Sequence, residues 1–109
     1  MAAMRDPDPN LEKLLAAIVP ALSPEAIYLF GSRARGEAHE DSDYDLLVVV
    51  PDDAPREPLA PMKTYALAQK ADVAADIIPC RRSRFEHTKD KVGTLSYEAT
   101  KLGRLVYGG

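Results

Sequence analysis

The chain reads as a small mixed α/β fold, an α+β arrangement in which a small mixed β-sheet is flanked by helices on one or both faces. Two observations predict it. Three short apolar runs, Ala26–Phe30, Asp45–Val50 and Asp72–Ile78, are each followed directly by Gly or Pro and are too short for helices of ordinary length. Around them lie stretches with helix signals, giving the order helix, strand, long loop, strand, helix, strand, helix, helix. The 109 residues, 46% hydrophobic and 28% charged, suit one domain over residues 1–109 with its own apolar core.

Each element has a local reason. Asp8 can cap a first helix, Pro9 suits its first position, and Leu11, Leu14, Leu15 and Ile18 recur at helical spacing before Pro20 and Pro24, which should end it. Ala26–Phe30 is a buried strand stopped by Gly31, and Asp45–Val50, with three consecutive valines before Pro51, is a stronger one. Pro51 to Pro61 carries four prolines and should be an exposed loop leading to a helix near Met62 to Gln69. Asp72–Ile78 is a third strand, closed by Pro79. Ser83 and Glu86 have the spacing of a capping box for a helix through Lys91, and Gly93 separates it from a last helix, Thr94 to Tyr107, on which Tyr97 and Tyr107 are packing residues.

Fourteen basic against seventeen acidic side chains leave a net charge of −3, which speaks against a dedicated nucleic-acid binder, so no direct nucleic-acid contact is expected. The charge is uneven: residues 1–79 hold seven Lys or Arg and fourteen Asp or Glu, whereas residues 80–104 hold seven and three. An acidic body suits a cation, and a basic tail suits an anionic ligand or partner. One cysteine, Cys80, allows no intramolecular disulfide and points to a reducing compartment. The apolar run Leu14–Val19 is too short for a signal peptide and no longer one occurs, so a cytoplasmic protein without a membrane span is expected.

The chemistry concentrates between Gly31 and Asp45. Alternation in a strand puts Asp43 and Asp45 on one face, where two carboxylates at the head of an apolar run repel each other. Oxygen ligands of this kind favour a hard cation such as Mg²⁺ or Mn²⁺. Asp76 interrupts another apolar run, where a lone carboxylate is costly unless paired or metal-bound, and it converges on the pair if the second and third strands are neighbours. A helix starting at Gly31 and Ser32 would present free backbone N–H groups, and these, the Ser32 hydroxyl and Arg33 or Arg35 suit a phosphate chain. The blander readings are a turn glycine at Gly31, a cap at Ser32, solvated turn residues at Asp43 and Asp45, and surface charges at Arg33 and Arg35.

Other motifs fail. Gly31 and Gly36 are spaced like a Walker A pair, but Glu37 and Ala38 stand where Lys and Ser or Thr are required. Asp41, Asp43 and Asp45 imitate an EF-hand loop, but Leu46 replaces its glycine. Arg33 stands where a dinucleotide fingerprint needs its second glycine. His39 and His87 have no partner suggested by spacing, Cys80 reads as a small hydrophobe, and Arg81, Arg82 and Arg84 read as a solvated helix start that can also face an acidic partner.

Gly31-Ser32, ten intervening residues, then Asp43-Tyr44-Asp45 resembles the signature of the polymerase-beta-like nucleotidyltransferase superfamily, and Asp76 looks like its third carboxylate. In length and order the whole chain is similar to the minimal nucleotidyltransferases, the MNT proteins. The resemblance implies that superfamily's fold, with Asp43 and Asp45 binding two Mg²⁺ ions, Asp76 acting on the metal and the attacking hydroxyl, and Gly31 and Ser32 holding the triphosphate of ATP. It further implies an antitoxin partnered with a HEPN-domain ribonuclease toxin, with AMP passed from ATP to a toxin hydroxyl, that of a tyrosine. Two alternatives are a non-catalytic antitoxin that neutralises the toxin by covering it, and a transferase acting on a small-molecule hydroxyl, for which this chain is short.

Overall fold

The structure is a computed structural model that describes residues 8–34 and 43–109. Its first helix, α1 (Pro9–Leu22), begins as expected, with the Asp8 carboxylate accepting the Leu11 N–H at 3.1 Å. It does not stop at Pro20. That residue is exposed in the last turn, where its missing N–H forfeits a single helical bond, and the helix ends at Ser23, left-handed at φ 46, whose N–H donates to the Val19 carbonyl at 2.9 Å.

Four strands form one mixed sheet in the order β3-β2-β1-β4. β1 (Ala26–Phe30) and β2 (Tyr44–Val50) pair antiparallel, and β2 pairs in parallel with β3 (Ala75–Arg81) after a crossover through α2 (Pro61–Ala71). The third strand therefore starts later than expected, because Asp72 closes α2 in a left-handed conformation, φ 59, with its N–H on the Ala68 and Gln69 carbonyls. It also runs through Pro79. A proline fits there because β3 is an edge strand with pairing on one side only. β2, second from that edge, is buried on both faces, so its apolar residues run without alternation.

The rest of the chain departs further from expectation. α3 (Arg82–Thr88) forms, but without the capping box: the Ser83 N–H donates to the Asp52 carboxylate at 2.8 Å, while Glu86 pairs with Arg82 at 2.9 Å and Lys89 at 2.8 Å. In place of one helix to Tyr107 there is a short turn, α4 (Leu95–Tyr97), a π-helical turn over Glu98–Leu102, and a fourth strand, β4 (Arg104–Gly108), antiparallel to β1. Gly103 makes the switch: a Cβ there would overlap the Leu29 and Ala99 carbonyl oxygens, so only glycine lets the chain come against β1. Tyr107 accordingly lies on a strand and is exposed, not packed on a helix. The proline-rich loop has a 3₁₀ turn at Glu57–Leu59 and is tied down by Arg81, which donates to the Asp52 and Ala54 carbonyls at 2.8 and 2.9 Å.

Helices thus cover both faces. α1 and α2 pack on one through Leu14, Ile18, Leu46, Val48 and Ile77. Phe85 of α3 and Ala99 of the π-helical turn pack on the other against Phe30, Leu47 and Val49, with Tyr28 stacked on Phe85 at 5.5 Å. No described helix is long and apolar enough to cross a membrane.

Candidate active site

Period-two alternation decides which face of the sheet carries chemistry. Along β2, Leu46, Val48 and Val50 point to α1 and α2, so Asp45, Leu47 and Val49 point to the other face. On β3, Ile77 joins the first set, leaving Asp76 with Ile78 and Cys80 on the same side as Asp45. The parallel register sets Asp45 directly beside Asp76, and the antiparallel register sets it beside Phe30. Asp43, just before β2, stands close enough to add its charge. Asp45 and Asp76 thus stand side by side at one end of the sheet, with Asp43 two residues before Asp45 in the chain.

Gly31 belongs to the same cluster. It follows Phe30 at φ +78, and a Cβ built on it would overlap the Asp45 Oδ2, so the Asp45 carboxylate occupies the space that any other residue would fill. The chain then turns once over 31–34, the Ala34 N–H donating to the Gly31 carbonyl at 3.1 Å, with Ser32 in that turn next to Gly31. Arg33 lies with its guanidinium 4.3 Å from the centroid of the Tyr44 ring. Arg35, the other predicted phosphate contact, and His39 lie outside the described residues.

Tyr44 explains how the pair of aspartates is held. Its ring points away from them, is buried, and its hydroxyl donates to the Asp8 carboxylate at 2.8 Å. One carboxylate therefore caps α1 and locks the start of β2, the strand that carries Asp45. Burial first, then Asp8, raises the Tyr44 phenol above its ordinary range.

The carboxylates of the cluster repel one another. The half-buried Asp45 carboxyl is driven above the usual carboxylate range, first by loss of solvent and then by the charges of Asp76, Asp43 and Glu98. Glu98, on the π-helical turn, was not singled out from sequence, because nothing in its spacing links it to β2. Among the described residues no three His, Cys, Asp or Glu side chains are gathered tightly enough to hold an ion as they stand. The donors available are carboxylate oxygens under mutual repulsion, which is the chemistry that suits a hard divalent cation.

Leu47 and Ile78, two residues beyond Asp45 and Asp76 on the same face, line a cleft of about 640 Å³ that extends under Arg84, Thr88, Leu95 and Ser96. Cys80 lines it too, its thiol raised by burial, in keeping with a small hydrophobe. The basic cluster divides: Arg81 holds the proline-rich loop, Arg82 pairs with Glu25 at 2.6 Å, and Arg84 faces the cleft.

Residues 11–102 match the family model described as a nucleotidyltransferase domain. Among solved structures, a chain of the toxin–antitoxin MntA-HpeT, in a mutant carrying two Asp→Glu exchanges two positions apart, is 25% identical, with a TM-score of 0.60 over 94% of this chain and 75% of that one. A chain of a toxin–antitoxin crystallised with AMP-PNP is also 25% identical, with a TM-score of 0.55 over 92% of this chain and 72% of that one. No curated protein is similar to the chain at a significant level.

Proposed function

Because this chain belongs to the nucleotidyltransferase domain family, we propose that it transfers AMP from ATP to a tyrosine hydroxyl of a HEPN-domain toxin and so serves as that toxin's antitoxin. The four-stranded mixed sheet with its helices is the polymerase-beta-like nucleotidyltransferase fold. The observation that carries the reading is the meeting of Gly31, Asp45 and Asp76: a glycine whose missing side chain makes room for one carboxylate, which stands in register with another.

In this reading Asp43, Asp45 and Asp76 would hold two Mg²⁺ ions, which when bound would offset the carboxylate repulsion and withdraw charge from the reacting phosphate. The Gly31 and Ser32 N–H groups and the Ser32 hydroxyl would donate to the triphosphate, with Arg35 as a further phosphate contact and Arg33 another once it leaves the Tyr44 ring. Asp76 accepts the proton of the attacking hydroxyl, and pyrophosphate leaves. ATP as donor places the reaction in the cytoplasm. A partner protein as acceptor is supported by the two similar chains, both from toxin–antitoxin structures, one of them holding AMP-PNP. The Asp→Glu exchanges in the first are spaced as Asp43 and Asp45 are.

The test is transfer of label from α-phosphate-labelled ATP to the co-expressed toxin, with toxicity read in parallel. The Asp43→Asn, Asp45→Asn double variant should lose at least about a thousandfold of the transfer and all protection. Protection without labelling would replace catalysis by occlusion, and labelling equal to the wild type would remove the mechanism.

A further inference from the structure

The cleft that begins at Leu47 and Ile78 lies on the same face of the sheet as Asp45 and Asp76, and the step from one row to the other is two strand residues, about 7 Å. Its strand residues belong to β2 and β3, whereas Gly31 and Ser32 follow β1, so the phosphate turn and the cleft approach Asp45 from different directions. Leu47, Ile78 and Leu95 give it apolar walls. Ser96, also in the wall, is only 4% exposed, and among the described residues its hydroxyl meets nothing but the Cys80 sulfur at 4.0 Å, a weak contact. Of the basic side chains on α3 and the turn after it, Arg82 and Lys89 pair with Glu86, whereas Arg84 and Lys91 have no acidic partner among the described residues. Arg84 lines the cleft, and Lys91 stands between Thr88 and Gly93, which line it too, with its ammonium on the His87 ring at 3.0 Å.

We propose that this cleft seats the acceptor-bearing segment of the partner protein, a stretch in which an apolar residue fills the space between Leu47, Ile78 and Leu95 and an acidic residue beside it pairs with Arg84 and Lys91. The inference rests on the toxin–antitoxin reading above and adds to it the feature by which the acceptor is chosen. The Ser96 hydroxyl is available to a backbone carbonyl of the segment. From Ile78 the remaining step to Asp76 is one that a single tyrosine side chain covers. Two cations over an apolar floor, on a chain of net charge −3, suit a short acidic peptide and not a nucleic acid, whose binding gathers many cationic contacts on phosphates.

Cys80, the single cysteine of the chain, lies in the cleft and reports its occupancy. The full chain is treated with N-ethylmaleimide, alone and with the toxin, and alkylation of the Cys80 peptide is followed by mass spectrometry. The toxin should slow that alkylation by about tenfold or more. Arg84→Glu, at an exposed position, should abolish most of the protection and raise the KM for the toxin about tenfold or more with little change in kcat, and exchanging one acidic residue of the toxin for Lys should restore both. Alkylation at the same rate within the complex, an unchanged KM in Arg84→Glu, no rescue by any such exchange, or equal protection of Cys80 by a single-stranded RNA would each overturn the proposal. Toxin labelled with Cys80 unprotected defeats this inference alone. Cys80 protected with no label on the toxin supports the docking and defeats transfer, and absence of any complex defeats the antitoxin reading together with the docking.

Discussion

At the scale of single residues, Asp45 is where stability and function oppose each other. Its carboxyl is raised above the ordinary range by burial and by Asp76, Asp43 and Glu98. A raised carboxyl binds its proton more tightly in the folded chain than in the unfolded one, so folding stability falls as pH climbs from the ordinary carboxylate range through the raised value. In metal-free buffer Asp45→Asn should therefore stabilise the chain at neutral pH by roughly 0.2–1 kcal/mol, the scale of one like-charge contact in a sheet. The gain should vanish below the ordinary carboxylate range, where the wild-type residue is protonated in both states. Urea unfolding at the two pH values measures it, and a variant less stable than wild type at neutral pH would contradict the electrostatics. Gly31, Asp43 and Asp45 were legible in the sequence because their spacing is local, and Asp76 because a carboxylate stood in an apolar run. Glu98 was not, since it acts on Asp45 from a π-helical turn whose placement depends on tertiary packing.

At the scale of elements, the join between α1 and β2 includes a hydrogen-bonded pair beside its apolar packing. Tyr44 donates to Asp8, and Asp8 caps the helix, so removing the phenol loosens both at once. Tyr44→Phe should cost about 1.5–3 kcal/mol, as a bond to a charged acceptor does. Thermal unfolding of this variant beside Asp8→Asn would show the link, because the double variant should lose less than the sum of the two single losses. Additive losses would mean that cap and anchor act separately. The same scale shows where local pattern misleads. Ser83 and Glu86 have capping-box spacing, but Asp52 takes the Ser83 N–H and two basic side chains take Glu86. Thr94 to Tyr107 has helical periodicity, yet Gly103 admits the chain to the free edge of β1 and a strand results. Pro79 stayed within a strand because that strand lies at the sheet's edge, a position no local signal reports.

At the scale of the molecule, strand order converts scattered carboxylates into a site. The order β3-β2-β1-β4 puts Asp76 beside Asp45 and sets the turn after β1 against them, so residues far apart in sequence share one end of one face. The mixed sheet and its flanking helices were legible from apolar runs and their stops, whereas the fourth strand and the order of strands depend on long-range pairing. The proposed function rests on that convergence, and metal binding tests it most directly. Manganese(II) titrated into the chain with a non-hydrolysable ATP analogue, and followed by the paramagnetic signal of the free ion, should be taken up by the wild type only when nucleotide is present, with Asp45→Asn and Asp76→Asn each weakening uptake by about tenfold or more. Equal uptake by the wild type and both variants would mean that these carboxylates do not hold the ion.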